Sequence, residues 1–270
     1  AISFNGKLGL AYKFNDMISI GLTYTMPTKL TYKNGKASMD MSKQFEDAMG
    51  RAVVGYYSNP GNHGKPIDSA FYSVAMNFAA LGIDMNKEMK SDYDLEVGLN
   101  LPQSIGFGMS LKPSNRVKLG FDFEWINWSN AFDKMTLTLT NGQSANINKM
   151  MGGNSIDIEF PLNWKDAVVL KVGGEYYPTN ELALRLGYVY GSNPVPETTI
   201  FPVFPAIVDH RMTFGAGYKF TENLMVNFAY ETAFNKKLNG TTPHTVASEY
   251  AGSTSELMTN LLHLSFEWNF

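Results

Sequence analysis

Apolar and polar residues alternate along nine segments of this chain. In the first segment, Leu8, Leu10 and Tyr12 occupy every second position, with small or polar residues between them. A period of two is typical of a β-strand that has one apolar and one polar face. The alternation therefore predicts strands at residues 4–14, 18–26, 105–112, 117–125, 168–176, 182–190, 211–220, 224–230 and 262–270.

The connections between these strands alternate between tight turns and long loops. The turns are predicted at residues 14–17, 113–116, 178–181 and 220–223, and the loops at 33–92, 129–165, 191–209 and 234–257. Strands of roughly 9 to 11 residues with aromatic edges are expected of a β-barrel that spans a membrane. We therefore predict an all-β fold, a transmembrane antiparallel β-barrel. A soluble sandwich or a lipocalin-like barrel would also alternate and is the alternative.

Composition excludes several other classes of protein. Lys and Arg number 22 and Asp and Glu 25 among the 270 residues, and this formal charge of −3 argues against a nucleic-acid binder. Mean hydropathy is −0.18, and no segment approaches the roughly 18 consecutive apolar residues of a membrane-spanning helix. The absence of cysteine excludes a disulfide scaffold, thiol catalysis and cysteine-based zinc sites.

The number of strands is odd, whereas single-chain bacterial barrels have even numbers. The chain starts at Ala1 with neither an initiator Met nor an apolar leader. We therefore expect residues 1–270 to be the C-terminal part of a larger barrel, with the C-terminus on the periplasmic side. The final Phe270, after alternating aromatic residues, resembles the signal that the barrel assembly machinery recognises in bacterial outer-membrane proteins.

The loop at 33–92 has a helical pattern. Two apolar stripes, which begin at Met41 and Ile67, recur at intervals of three and four residues and predict two amphipathic helices. Such helices could form a capture groove for hydrophobic molecules, since Met and Phe side chains adapt to varied shapes. The candidate groove residues are Phe45, Met49, Val53, Phe71, Val74, Phe78 and Leu81. The alternative is that the helices pack on each other and only cap the barrel mouth.

Five short motifs follow one another in a fixed order along the chain. They lie at residues 101–108 (LPQSIGFG), 125–129 (WINWS), 163–166 (NWKD), 184–196 (LRLGY and NPVP) and 209–218 (DHR and FGAGY). In this order they resemble the outer-membrane long-chain fatty acid transporter family of the FadL/TodX type. The resemblance covers residues 1–32 and 93–270 well and the loop between them poorly.

The resemblance implies a fourteen-stranded barrel that is plugged by an N-terminal hatch. Residues 2–14 would be the sixth strand, so five strands and the hatch would precede this chain. It also implies that a hydrophobic molecule is captured by external loops, passes into the barrel and leaves sideways into the membrane. The loop at 33–92 would be the fourth external loop, which contributes to the capture groove in the family.

Three cations are candidates for binding the carboxylate of a fatty acid. Lys165 matches the family motif, and Arg185 and Arg211 lie on predicted inward faces. A cation in a low-dielectric lumen can bind a carboxylate through charge-assisted hydrogen bonds, and Arg can do so bidentately. The alternative is that these cations belong to a structural network of ion pairs with Asp122, Glu124, Glu175 or Asp209.

The proline-rich loop from Asn193 to Pro205 is rigid and apolar. It is either a lid over the lumen or an ordered external loop.

No pattern in the chain predicts chemistry. The histidines share no metal-ligand spacing and no Ser/His/acid set shares a face, so we predict no enzyme, no metal site and no cofactor. The expected partners are a hydrophobic small molecule (a fatty acid or a detergent that mimics one), outer-membrane lipid and lipopolysaccharide, the assembly machinery and the N-terminal part of the barrel. The predicted function is passive outer-membrane transport of hydrophobic molecules, with long-chain fatty acids first among them. The alternatives are a general porin and a protein-binding assembly or secretion component of the same fold.

Overall fold

The computed structural model describes residues 1–200, 205–241 and 250–268. The chain divides into two compact units. The smaller unit comprises residue 1 and residues 31–98 and 136–159, and the larger unit comprises residues 2–30, 99–135 and 160–270. Among the described residues, none of the helices has the length and apolar character needed to cross a membrane.

The described residues form thirteen β-strands, four α-helices and one short 3-10 helix at Pro60–Asn62. In chain order the strands and helices are β1 (Lys7–Lys13), β2 (Ile18–Thr25), β3 (Thr28–Asp40), α1 (Ser42–Tyr57), α2 (Ile67–Ala80), β4 (Lys90–Leu101), β5 (Ser104–Ser114), β6 (Val117–Ile126), α3 (Trp128–Ala131), β7 (Lys134–Thr140), α4 (Ala145–Met151), β8 (Ile156–Pro161), β9 (Ala167–Tyr176), β10 (Leu182–Gly191), β11 (His210–Lys219), β12 (Leu224–Asn239) and β13 (Thr254–Trp268).

The larger unit is built on an antiparallel sheet of nine strands, in the order β1-β2-β5-β6-β9-β10-β11-β12-β13. The nine alternating segments are thus confirmed as strands of one sheet, and the predicted turns join the pairs that they were expected to join. The largest differences from the predicted ends are in three strands. The first strand begins only at Lys7, and β12 and β13 extend into the predicted loop at 234–257. A register shift between Ala233 and Lys236 marks where this extension begins.

One face of the nine-stranded sheet is apolar. Residues directly opposite one another on neighbouring strands point to the same side of a sheet, so the register traces rows across it. One such row contains Leu10, Leu22, Phe107, Phe123 and Leu170. This comparison leaves out the part of β12 and β13 beyond the register shift, from Lys236 onward in β12. In the rest of the described sheet, no paired residue on this face is Asp, Glu, Lys or Arg. An exposed, uncharged belt of this kind is what contact with lipid requires.

The opposite face of the same sheet carries the charges. The paired residues that contribute them are Lys7, Lys13, Lys118, Asp122, Glu124, Lys171, Glu175, Arg185, Arg211, Lys219, Glu231 and Glu267. Between them runs a row of small residues that contains Ser110, Gly120, Gly173, Gly187 and Thr213. This row forms the floor of a shallow depression of about 470 Å³.

The smaller unit contains the two predicted helices, α1 and α2, but also structure that the sequence did not predict. A four-stranded sheet in the order β3-β4-β7-β8 crosses the segments that were predicted as the loops 33–92 and 129–165. Helices were predicted within the segment 33–92, but no strand was predicted in either loop, so the four strands of this sheet were missed. In β3 the alternation breaks because Asn34 has φ +64°, so that Leu30 and Tyr32 are out of phase with Ala37 and Met39.

The described residues of these units form three apolar cores. In the smaller unit, Phe45, Ile83 and Met89 form one core and Tyr93, Leu139 and Ile147 form another. In the larger unit, Trp164 packs with Val195, Ile200 and Ile207. The described part of the proline-rich loop is therefore an ordered, buried element, and its residues 201–204 lie outside the described residues. Phe270, the predicted assembly signal, also lies outside them.

Candidate functional site

A groove of about 340 Å³ lies between α1 and α2 in the smaller unit. It is lined by Ala52, Gly55, Tyr56, Ser73, Val74, Asn77, Phe78 and Leu81. The helices α1 and α2 pack against each other. They leave this space between them because α1 presents small side chains, Ala52 and Gly55, opposite Val74 and Phe78 of α2. The groove is mostly apolar, which suits an alkyl chain or an aromatic ring.

The structure brings together only part of the predicted groove set. Val74, Phe78 and Leu81 line the groove, whereas Phe45 and Met49 pack into the core formed with Ile83 and Met89. The rings of Phe45 and Phe78 are 5.0 Å apart, so Phe78 belongs to both the core and the groove. Val53 and Phe71 do not line it, and Phe71 is 44% exposed.

Sequence reasoning missed five of the lining residues. Gly55 was overlooked because the apolar stripe counts only large side chains, and Ser73 and Asn77 because they are polar. Ala52 and Tyr56 are in the apolar stripe that begins at Met41 but were not chosen as ligand contacts. The spacing of Ser73 and Asn77 by four residues places them on one side of α2, and it is the signal that could have found them.

Lys165 lies in the larger unit, two residues before the start of β9. Its side chain is exposed and forms no ion pair with any carboxylate of the described residues. Its backbone N–H donates to the carbonyl of Pro194 over 2.8 Å, which ties the motif to the proline-rich loop. Lys165 is therefore held by its backbone and leaves its ammonium group available.

Arg185 and Arg211 lie on the charged face of the nine-stranded sheet, as predicted, and both are paired. The Arg185 Nε donates to Glu175 over 2.6 Å, and Lys118 contacts the same carboxylate at 3.0 Å. The Arg211 guanidinium lies 3.6 Å from Glu231. Both arginines are thus in ion pairs, as in the alternative that the sequence left open, although the partner of Arg211 is Glu231 and not one of the carboxylates named there.

Glycine in β11 allows Arg185 to cross that strand. The Arg185 Nη1 donates to Asn227 on β12 over 3.0 Å, with Gly217 between them. A Cβ at Gly217 would lie 2.5 Å from the Asn227 Oδ1 and 2.9 Å from the Arg185 Nη1. The glycine-rich strand motif therefore has a packing reason in this chain.

Gly217→Ala is expected to lower the free energy of unfolding by about 1–3 kcal/mol, because the methyl group must displace Arg185 or Asn227. Urea unfolding in lipid vesicles, followed by tryptophan fluorescence, measures the change. The control is Gly120→Ala on the same face, where a Cβ would meet no heavy atom within 4 Å. Equal stabilities for the two variants would contradict this explanation of the glycine.

The first three motifs meet in one hydrogen-bonded rim at the ends of β2, β5 and β6. Tyr24 Oη donates to Gln103 Oε1 over 3.0 Å, and Gln103 Nε2 donates to Asn127 Oδ1 over 3.2 Å. Asn127 in turn donates to Asp166 over 3.0 Å. Residues that are far apart in sequence are therefore linked, and the order of the motifs reflects contacts in the fold.

No cluster of His, Asp or Glu side chains suited to a metal ion occurs among the described residues. His210 lies beside Tyr188, whose hydroxyl is 2.6 Å from its Nδ1, and His244 lies outside the described part of the chain.

The chain is similar in structure to transporters of known structure. It matches the Pseudomonas putida toluene transporter TodX with a TM-score of 0.59 and 21% identity, over 98% of this chain and 49% of TodX. A Pseudomonas aeruginosa FadL homologue matches with a TM-score of 0.58 and 19% identity, over 97% of this chain and 51% of that protein. The Ralstonia pickettii toluene transporter TbuX matches with a TM-score of 0.53 and 15% identity, over 98% and 48%. The chain thus spans about half the length of these proteins, and identities this low show the fold alone.

A comparison with curated proteins finds no similar sequence. The family profile described as outer membrane protein transport protein (OMPP1/FadL/TodX) matches residues 1–270. This match covers the whole chain, including the loop at 33–92 that the motifs covered poorly. The chain belongs to the OMPP1/FadL/TodX family of outer-membrane transport proteins.

Proposed function

We propose that this chain is part of an outer-membrane channel for hydrophobic molecules, in which the groove between α1 and α2 captures the substrate. The observation that carries the proposal is the groove itself, which is open, mostly apolar and lined by Val74, Phe78 and Leu81. Membership of a family of outer-membrane transport proteins supports it. The substrate moves passively, without chemistry and without a cofactor.

Long-chain fatty acids are the substrate class that we propose. Toluene transporters and a FadL homologue are both among the similar structures, so the fold alone does not choose between a hydrocarbon and a carboxylic acid. The unpaired ammonium group of Lys165 favours the acid, because a charge-assisted hydrogen bond to a carboxylate is about twice as strong as a neutral one. Arg185 and Arg211, each paired with a glutamate, have a secondary role in the proposal, as donors along the lumen wall.

The barrel that we propose has fourteen strands, of which the nine-stranded sheet is the C-terminal part. Its uncharged face contacts lipid and its charged face lines the lumen, with the C-terminus in the periplasm. The remaining strands and a hatch are supplied by the N-terminal part of the same protein. These additional strands would pair with the free edges of β1 and β13 and so close the barrel. Unpaired backbone groups at those edges would otherwise be costly in lipid.

Filling the groove is expected to weaken substrate binding. Gly55→Trp introduces an indole at the groove, at a position where a Cβ would meet no heavy atom within 4 Å. Loss of the buried apolar contact should cost at least about 1 kcal/mol, which is about fivefold in Kd. Displacement of a fluorescent fatty acid from the protein in lipid nanodiscs measures the Kd, and uptake by whole cells measures transport.

The matched control is Gly50→Trp, on the same helix but away from the groove, where a Cβ is equally unobstructed. If both variants bind and transport like the wild-type protein, the groove is not on the substrate path. Exposed apolar side chains on α2, Ile67, Tyr72 and Met76, would then favour the second candidate function, a protein-binding component of the same fold. Loss of a co-purifying protein in Tyr72→Ser would support that reading.

A further inference from the structure

Asp166 follows Lys165 in the chain, but its carboxylate accepts hydrogen bonds from neutral donors. Its Oδ1 accepts from the Ser129 hydroxyl over 2.6 Å, from the Ser129 backbone N–H over 3.0 Å and from Asn127 Nδ2 over 3.0 Å. The Ser129 hydroxyl bond is the main cause that lowers the pKa of the Asp166 carboxyl, although burial opposes it and Asn127 and Trp125 contribute less. The carboxylate is therefore charged, and three donors hold it in place.

The residue on the other side of Lys165 is also fixed. Trp164 is 8% exposed, and its ring stacks on Phe132 at 4.7 Å and meets Trp128 edge-on at 5.2 Å. The backbone N–H of Lys165 itself is bound to Pro194. The backbone of Lys165 is thus held on both sides and at its own amide, while its ammonium group has no anionic partner among the described residues.

We propose that Ser129 and Asp166 are positioning residues, which fix the direction of the Lys165 side chain and keep the neighbouring carboxylate away from its ammonium group. This inference rests on the proposed function, in which Lys165 binds the carboxylate of the substrate. A lysine side chain is long and flexible, so a fixed backbone reduces the volume that its ammonium group explores and the entropy lost on binding. A released Asp166 would in addition be a competing anion one residue away.

The inference predicts an effect on selectivity that damage to the fold would not produce. Kd values are measured for dodecanoate and for 1-dodecanol with the protein in lipid nanodiscs, and their ratio gives the selectivity for the acid. Lys165→Ala should lower this ratio by about tenfold or more, since hydrogen bonds to charged groups contribute about 1.5–3 kcal/mol. Ser129→Ala should lower it at least about threefold and leave the Kd for the alcohol unchanged, and Ser129→Thr should restore it.

A matched control is available in the smaller unit. Thr138→Ala removes a comparable hydroxyl-to-carboxylate bond, 2.7 Å long, to Asp157, and it should leave the ratio at the wild-type value. If Lys165→Ala lowers the ratio and Ser129→Ala does not, the positioning role is wrong while the proposed function stands. If Lys165→Ala leaves the ratio unchanged, Lys165 does not bind the carboxylate, and both the positioning role and the assignment of fatty acids on the basis of Lys165 fail. Equal weakening of acid and alcohol by Ser129→Ala would mean general damage to the rim and would also overturn the positioning role.

Discussion

Phe214→Lys is expected to prevent or strongly weaken folding of the sheet in lipid, whereas Thr213→Lys, one residue away, should be tolerated. Phe214 lies in the middle of β11 on the uncharged face, opposite Leu186 and Tyr230, and is 46% exposed. A lysine that faces lipid near the bilayer midplane costs about 2–4 kcal/mol. Thr213 lies on the charged face opposite Glu231, where a lysine gains an anionic neighbour.

Heat-dependent migration in gel electrophoresis measures the folded fraction after transfer into lipid vesicles, and the urea midpoint measures stability. The two substitutions introduce the same side chain at adjacent positions, so differences in helix or strand propensity cannot explain a difference between them. If Thr213→Lys were the damaging variant, the assignment of the two faces to lipid and lumen would be reversed. If both variants folded normally, this part of β11 would not lie within the hydrocarbon region.

The nine-stranded sheet was predictable because its signal is local and repeated. In a strand with one apolar face, every second residue is apolar. The side of the sheet on which Leu10, Leu22 and Phe107 lie can therefore be predicted from each strand's own sequence, without knowing which strands pair with it. The same logic placed Arg185 and Arg211 on the opposite face. What the alternation could not give was the partner of each charge. Arg211 pairs with Glu231, which was not among the carboxylates expected for it, because the register decides which residues face each other.

The four-stranded sheet of the smaller unit shows where a periodic pattern fails. In β7, Met135, Leu137 and Leu139 alternate with threonines, so a signal was present but was hidden in a region already assigned as a loop. In β3, the left-handed backbone of Asn34 shifts the phase of the alternation, and no count of period-two positions across it can succeed. An Asn-Gly pair at which the alternation changes phase can therefore lie inside a strand, as Asn34 and Gly35 do in β3.

The candidate site was only partly predictable, for a different physical reason. An amphipathic stripe identifies the side of a helix that is buried, but burial in a core and contact with a ligand demand the same residue types. Phe45 and Phe78 were both predicted from apolar stripes, and their rings are in contact, yet only Phe78 lines the groove. The groove exists because small residues such as Gly55 leave room between the helices. Gly55 has no side chain, so a search for large apolar residues cannot find it. Similarly, the availability of Lys165 depends on bonds that Ser129 makes to Asp166, 37 residues away.

Trp164→Ala is expected to detach the proline-rich loop from the larger unit. Trp164 is the aromatic centre of the core that includes Val195, Ile200 and Ile207, and removal of a buried Trp side chain costs about 3–5 kcal/mol. The buried members of this core lie outside the strands, and only Leu238 of β12 and Leu257 of β13 pack against it from the sheet, so the loss should appear as local opening, with the sheet still folded. Limited proteolysis followed by mass spectrometry should show new cleavage within residues 193–207.

Trp268→Ala, at a position 60% exposed on the apolar face, is the matched control and should not change cleavage there. Cleavage at the wild-type rate in Trp164→Ala would mean that hydrogen bonds such as that from Lys165 to Pro194 hold the loop without the aromatic core.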